Sequence, residues 1–593
     1  MKNDNYWGKY WSLRTNRRRL LGGAGAAGAG VAALGLVGCG GSSSNNNNNG
    51  ASSLATATPA VQASATVDSF AGAKKGGTYN TTAVAEPPTI DPFGNLSYTT
   101  KSLAAFAYSR LMLYKTGPGI APADAKPAPD AAEKMELTPD GLKYTFTLRK
   151  GISFHNIAPV NGRAMTTDDV KFSYGRATAA TNGNASRLTS VIDKAEYPDA
   201  STVVFTLKAP TVTIPDLMAD TNLLFIMPTE SDGKFDPTKT MIGSGPWVFQ
   251  SYTPSVGFKW NKNPNWWNTG FPLMDSWNLA IIPDYPTRLA QFLAGNTDVE
   301  GPTADDLVNI KNQIKDVQLF GTIGALVAWL YFDPDPTSPW AKDDRVRQAI
   351  SMSQDRDALI ELASNLKKLK AAGLDVQGPW NNIIPAGMTR FWLDPQSKDQ
   401  GDTAQFFKYD PANAQKLLSA AGYPSGFSTT YQYSANAYGA VFNSNAEAII
   451  AYINAIGVKT TTDVQDYPSK YITQTFLGNF KGIAFGYETP FPEASGYPNR
   501  LFTDNPNNHS KIIHDQQLID LTNQQLVETD EAKRKAIFWQ IQQVNAQHMY
   551  YIPMPLGGST GWSVAHANIK NVYTFPTTGY GGATETAPYV WKA

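Results

Sequence analysis

The residues most able to do chemistry lie in GYETPFPEA, Gly486 to Ala494, where Glu488 and Glu493 are set among two prolines and two aromatic rings. Two carboxyls converging on one bond are what glycoside hydrolysis uses, one protonating the leaving oxygen while the other acts as base or nucleophile. The proline-rich spacing neither forbids nor supports the separation that chemistry requires, and the same residues would serve as a ligand-reading wall or a rigid surface turn. A second pattern, Gly557-Gly558-Ser559-Thr560-Gly561, matches the G-x-S-x-G nucleophile elbow, which works only on a sharp strand-to-helix turn. Pro553 and Pro555 interrupt the strand-like MYYI upstream and no helical period follows Gly561, so glycine-rich backbone is expected there and no nucleophile. The histidines, His155, His509, His514, His548 and His566, have no metal-ligand spacing, and a lone cysteine cannot build a Cys-rich zinc site, so no metal or other cofactor is expected.

Positioning such groups takes a large folded body. At 593 residues the chain exceeds what one hydrophobic core usually supports, so more than one compact unit is expected. With 42% apolar and 17% charged residues it is folded rather than disordered. Lys+Arg and Asp+Glu number 50 each, so no net field draws it to phosphate, and nucleic acid is not an expected partner.

The single cysteine, Cys39, closes LGLVGC, behind a basic RTNRRRL and an apolar Gly/Ala-rich run from Leu20 to Val37. That is the order of an export signal, and the run is at the short limit for a membrane span. Leu36-Val37-Gly38-Cys39 resembles the lipobox of bacterial lipoproteins, which implies a lipidated Cys39 as the new N-terminus. Arg17-Arg18-Arg19-Leu20-Leu21 also resembles a twin-arginine signal, which leaves that route and general secretion both open. Residues 40–75 are a Ser/Asn/Ala/Thr tract without period, expected to be a flexible tether.

Beyond the tether the expected elements mix strands and helices. KYTFTL and TVVFTL alternate apolar and polar residues, Tyr144, Phe146 and Leu148 in one and Val203, Phe205 and Leu207 in the other, as half-buried strands do. Thr166 stands three residues before Asp169, as in a capping box. Further on, Asp343 precedes a helical spacing of Val346, Ile350, Leu359 and Ile360. YDPANAQKLLSAAGYP gives Asp410 as N-cap, Pro411 at the first helical position, Leu417 and Leu418 inward and Gly422 as the stop. Polar helices from about Asp515 to His548 should break near Thr529-Asp530, and in GSGPW the glycines Gly243 and Gly245 are expected to allow backbone geometry closed to other residues. The fold class is α/β or α+β.

Several stretches in order resemble one family: the extracellular solute-binding proteins of ABC importers, in the oligopeptide, dipeptide and nickel-binding class. They are GGTYN, EPPTIDP, YTFTLRKGISFH with TTDDVKFS, GSGPW, NPNWW, DYPTRLAQFLAGNTDVE, DDRVRQAISMSQDRDAL, YDPANAQKLLSAAGYP and TDEAKRKAIFWQIQQV. The resemblance implies an α/β, two-lobed periplasmic-binding-protein-like fold with a third subdomain inserted in the first lobe. With the export signal and its lipobox read in residues 1–39, the resemblance places the first lobe in 76–330 plus 555–593 with the inserted subdomain at about 111–190, and the second lobe in 331–554. It also implies core packing for Trp266 and Trp267.

The implied function is non-catalytic: a lipid-anchored, exported, monomeric receptor in the periplasm or at the cell surface that hands a peptide or similar solute to an ABC permease. An oligosaccharide receptor and a secreted glycoside hydrolase are the alternatives. Aligning FKGIAFGYETP with the family's Gly-Trp-x-x-Asp segment implies a ligand-binding wall of Tyr467, Tyr487, Glu488, Thr489, Pro490 and Glu493. Here the chain departs from its relatives, because Pro490 stands where many peptide binders carry the Asp that holds the ligand's ammonium. Glu488 or Glu493 is the expected substitute, through a charge-assisted hydrogen bond.

Overall fold

Alternation in the sequence becomes pairing in the structure. The strand Lys143–Leu148 buries Tyr144, Phe146 and Leu148, and Thr202–Leu207 buries Val203, Phe205 and Leu207 and runs antiparallel to it, Tyr144 opposite Phe205. Ala132–Leu137 and Ile192–Glu196 complete this four-stranded sheet. Helix Thr167–Ala177 starts at the capping box of Thr166 and Asp169 and adds Val170 and Ala177 to the same core.

The computed structural model describes residue 70 and residues 72–593, apart from 85, 95–96, 118, 121–124, 183, 437, 472–473, 489, 504–513, 573–574 and 576–584. All the described residues belong to one unit, Pro59–Ala593. The export signal, Cys39, Thr489 and His509 lie outside the described residues. Among the described residues no helix is long and apolar enough to cross a membrane.

A second four-stranded sheet runs Thr78–Ala83, Ser276–Ile281, Gly257–Lys262, Trp247–Thr253, its first pair parallel and the rest antiparallel. Trp247, Trp260 and Trp277 fill its core. Trp266 is buried as expected, while Trp267 is half-buried and holds Asp130 through its indole N–H at 2.9 Å. GSGPW differs in mechanism from the expectation. Neither Gly243 nor Gly245 has a positive φ; instead a Cβ on Gly243 would stand 1.9 Å from the Ala107 carbonyl oxygen, so close approach of two backbones is what excludes a side chain.

The five-stranded sheet is mixed: Val458–Gln465, Phe427–Ser434 and Ile483–Tyr487 are parallel, and Ala328–Phe332 and Ile552–Met554 follow antiparallel. Helices cover it with the caps the sequence implies. Asp343, Asp410, Asp515 and Asp530 each accept a first-turn N–H, and Pro411 opens its helix. Leu418 is buried and Leu417 half-buried, and the break at Glu528–Asp530 separates Gln516–Val527 from Glu531–His548. The chain enters this sheet after Ile323, from a three-stranded sheet of Val299–Glu300, Thr560–Ala565 and Gln318–Ile323, and returns to it after Met554. At these passages Gly324 and Gly557 touch, since a Cβ on Gly324 would lie 2.1 Å from the Gly557 carbonyl oxygen.

Candidate functional site

The strand Ile483–Tyr487 is apolar from end to end, as a central strand covered on both faces must be. At Gly486 the absent side chain leaves room for Tyr471, whose hydroxyl would be 1.8 Å from a Cβ there. That hydroxyl donates to the Phe485 carbonyl at 3.0 Å and shares a 2.6 Å hydrogen bond with Tyr331. Tyr467 stacks on Tyr471 at 6.0 Å, and both Tyr467 and Tyr487 meet Tyr438 edge-on, at 5.6 and 5.3 Å. Burial pushes the Tyr487 hydroxyl up to about 12; Tyr438, Tyr467 and Tyr487 are half-buried and Tyr471 is buried. Tyr438 and Tyr471 escaped the sequence reading because only the packing of separate segments assembles the cluster.

After Tyr487 the chain turns through its prolines. Glu488 is buried and pairs with Arg500 at 2.9 Å, and its backbone N–H donates to the Val327 carbonyl at 3.0 Å. Pro490 is half-buried. Glu493 pairs with Arg534 at 2.7 Å and accepts from the Ser495 N–H at 2.7 Å. Neither carboxylate stands free of protein cations.

Glu493 also lines a cavity of about 340 Å³ whose walls come from Arg187 to Asp220 on one side and Pro492 to Leu526 on the other. The Val212 N–H donates to the Leu526 carbonyl at 2.7 Å and the Arg187 guanidinium lies 5.6 Å from the Phe491 ring, so the two walls touch. Of the expected site residues that are described, Glu493 alone lines this cavity; Tyr467 and Tyr487 gather in the aromatic cluster instead.

Opposite Glu493 stand two carboxylates the sequence did not single out. Asp216, in the first turn of helix Ile214–Ala219, accepts from the Tyr114 hydroxyl at 3.0 Å. Burial, then the Glu493 charge, pushes its carboxyl up to about 7. Asp220 caps the other end of that helix and pairs with Arg187 at 2.7 Å. An acid at a helix C-terminus opposes the macrodipole, and that was the signal available in the sequence.

The remaining candidates have structural roles. His155 is buried, its Nδ1 accepting from the Gly243 N–H and its Nε2 donating to the Gly245 carbonyl, and burial pushes it down to about 4. Ser559 leads into the strand Thr560–Ala565, not a helix. Among the described residues no group of three or more His, Cys, Asp or Glu could hold a metal.

Comparison with known proteins supports a transport role. The sequence profile of the bacterial extracellular solute-binding proteins, family 5, middle region, matches residues 126–509. Heme-binding protein A of Haemophilus influenzae is 27% identical over 496 residues, 79% of this chain and 84% of the relative. The glutathione-binding protein GsiB of Salmonella typhimurium is 27% identical over 388 residues, 64% of this chain and 67% of the relative. The fold matches periplasmic binding proteins: AgaA of A. tumefacien R10 with agropinic acid, TM-score 0.68, 24% identity, 87% of this chain and 99% of that one; and DppA of Helicobacter pylori with the peptide STSA, TM-score 0.68, 20% identity, 88% and 98%. All four are binding proteins, and the family whose profile this chain matches is one of solute-binding proteins, not enzymes. It belongs to the bacterial extracellular solute-binding proteins of family 5.

Proposed function

We propose that this protein is the lipid-anchored receptor of an ABC importer, capturing a peptide or similar small organic solute between two lobes and delivering it to a membrane permease. The observation that carries this is a 340 Å³ cavity between wall segments far apart in sequence, in a chain whose family match spans residues 126–509. Relatives and neighbours named for glutathione, agropinic acid and the peptide STSA support a small solute bearing peptide-like groups.

In this proposal the first lobe is 76–330 with 555–593, carrying the inserted subdomain at about 111–190, and the second is 331–554. Glu493 supplies the second lobe's wall of that cavity, Tyr467, Tyr487, Thr489 and Pro490 form a further ligand-facing surface, and Glu488, closed off with Arg500, braces it. A solute that touches both walls binds only the closed form, so it shifts the population toward closure, and the permease selects that form. Cys39 carries the lipid, and the exported monomer works in the periplasm or at the cell surface.

Native mass spectrometry of the purified protein, with small-angle scattering before and after unfolding and refolding to strip the solute, tests this. A retained peptide or peptide-like solute and a larger radius of gyration after stripping are expected. A retained oligosaccharide would replace the solute class and leave the receptor role. A protein that holds no solute and does not compact with any peptide, opine or sugar mixture would overturn the proposal.

A further inference from the structure

A second cavity, of about 40 Å³, lies where residues 585–592 meet the rest of the protein. Its walls include Ser109 and Arg110, between helix Tyr98–Ala107 and strand Met112–Tyr114, then Asp130, Trp266, and Glu585 with Tyr589. Direct contacts already tie the two sides together. The Arg110 guanidinium pairs with Glu585 Oε1, the Thr116 hydroxyl donates to the Glu585 carbonyl at 3.0 Å, and the Leu273 N–H donates to the Pro588 carbonyl at 3.0 Å. Asp130 is committed, accepting from the Arg110 N–H at 2.7 Å and the Trp267 indole at 2.9 Å.

Four polar atoms of the walls have no hydrogen-bond partner among the described residues: Ser109 Oγ, Arg110 Nε, Trp266 Nε1 and Glu585 Oε2. Each of these side chains is more than nine-tenths buried, and a buried polar group without a partner is costly. Their chemistry is mixed. Arg110 Nε and Trp266 Nε1 can only donate, a glutamate oxygen can only accept, and the Ser109 hydroxyl does both. A cation in this cavity would face two N–H groups, and an anion would face the Glu585 oxygen. Water donates to one and accepts from the others, and at about 10–15 Å³ each the cavity has room for about three.

We propose that this cavity is an ordered-water site, and that its waters bridge Glu585 to Ser109, Arg110 and Trp266 and so fasten residues 585–592 to the protein. Water also suits a carboxyl that changes its charge. Burial pushes Glu585 up to about 7 against the pull of Arg110, with the Asp130 charge adding to the rise. A water can donate to the carboxylate and accept from the acid, which a monatomic ion cannot do.

A high-resolution crystal structure, with bromide and rubidium soaks read by anomalous scattering, tests the occupant. Water density within hydrogen-bond distance of Glu585 Oε2, Arg110 Nε and Trp266 Nε1, without an anomalous signal, is expected. A bromide or rubidium peak there, or a cavity without density, overturns the proposal. Hydrogen exchange read by mass spectrometry tests the fastening. Ser109→Ala removes one partner of the waters and leaves the Arg110–Glu585 pair in place, so exchange across residues 585–593 should rise about fivefold, as for one lost hydrogen bond, with the rest of the protein unchanged. Trp266→Phe should act in the same direction. Exchange across 585–593 that neither variant raises above that of the rest of the protein overturns the fastening role.

Discussion

Glu488 and Arg500 form an ion pair of 2.9 Å in which the glutamate side chain has no exposed surface. Removing one partner of a buried pair strands the other charge away from water. Glu488→Gln should therefore cost about 3 kcal/mol of unfolding free energy. Urea denaturation measures it, and an unchanged midpoint would mean the pair contributes nothing to the fold.

Gly486→Ala should disturb the aromatic cluster through Tyr471. The new methyl would meet the Tyr471 hydroxyl at 1.8 Å, forcing that ring off Phe485 and Tyr331. A loss of about 2 kcal/mol is expected, as for overpacking a filled core. Tyr471→Phe in the same background should recover part of it, which thermal unfolding of both variants would show.

His155 makes stability fall with acid. Its folded pKa, about 4, lies below the ordinary histidine value of about 6.5, so between those pH values the unfolded chain binds more protons. The stability His155 supplies is complete above about pH 6.5 and lost on the way down to about 4, a total of about 3 kcal/mol. The pH profiles of wild type and His155→Gln should converge toward acid; parallel profiles from pH 7 to 4 would remove His155 as a source.

Cys39→Ser should release the protein from the membrane fraction, because the lipid would have no attachment point. Fractionation of cells expressing each form checks this. Equal membrane association of both would place the anchor elsewhere.

Local physics was largely legible in the sequence. Alternation at Tyr144, Phe146 and Leu148 fixed a strand face, and Asp410 with Pro411 fixed a helix start, because each depends on neighbours a few positions away. The function of Gly243 was not legible, since its constraint is a carbonyl at Ala107, far off in the chain. The site divides the same way. Glu493 could be found beside its prolines, whereas Asp216 sits behind Pro215 at a helix start where an acid is ordinary, and only the fold sets it across from Glu493. Arg500 and Arg534, the partners that occupy the two glutamates, come from helices no local pattern links to them.

The hydrogen bond from the Glu488 N–H to the Val327 carbonyl, 3.0 Å long, joins the end of the wall strand to the passage by which the chain enters the sheet. In mechanical terms, the end of that strand and the passage between the two sheets are one rung apart. A push on Tyr487 would load residues 324–327 directly, with no helix between to flex and absorb it.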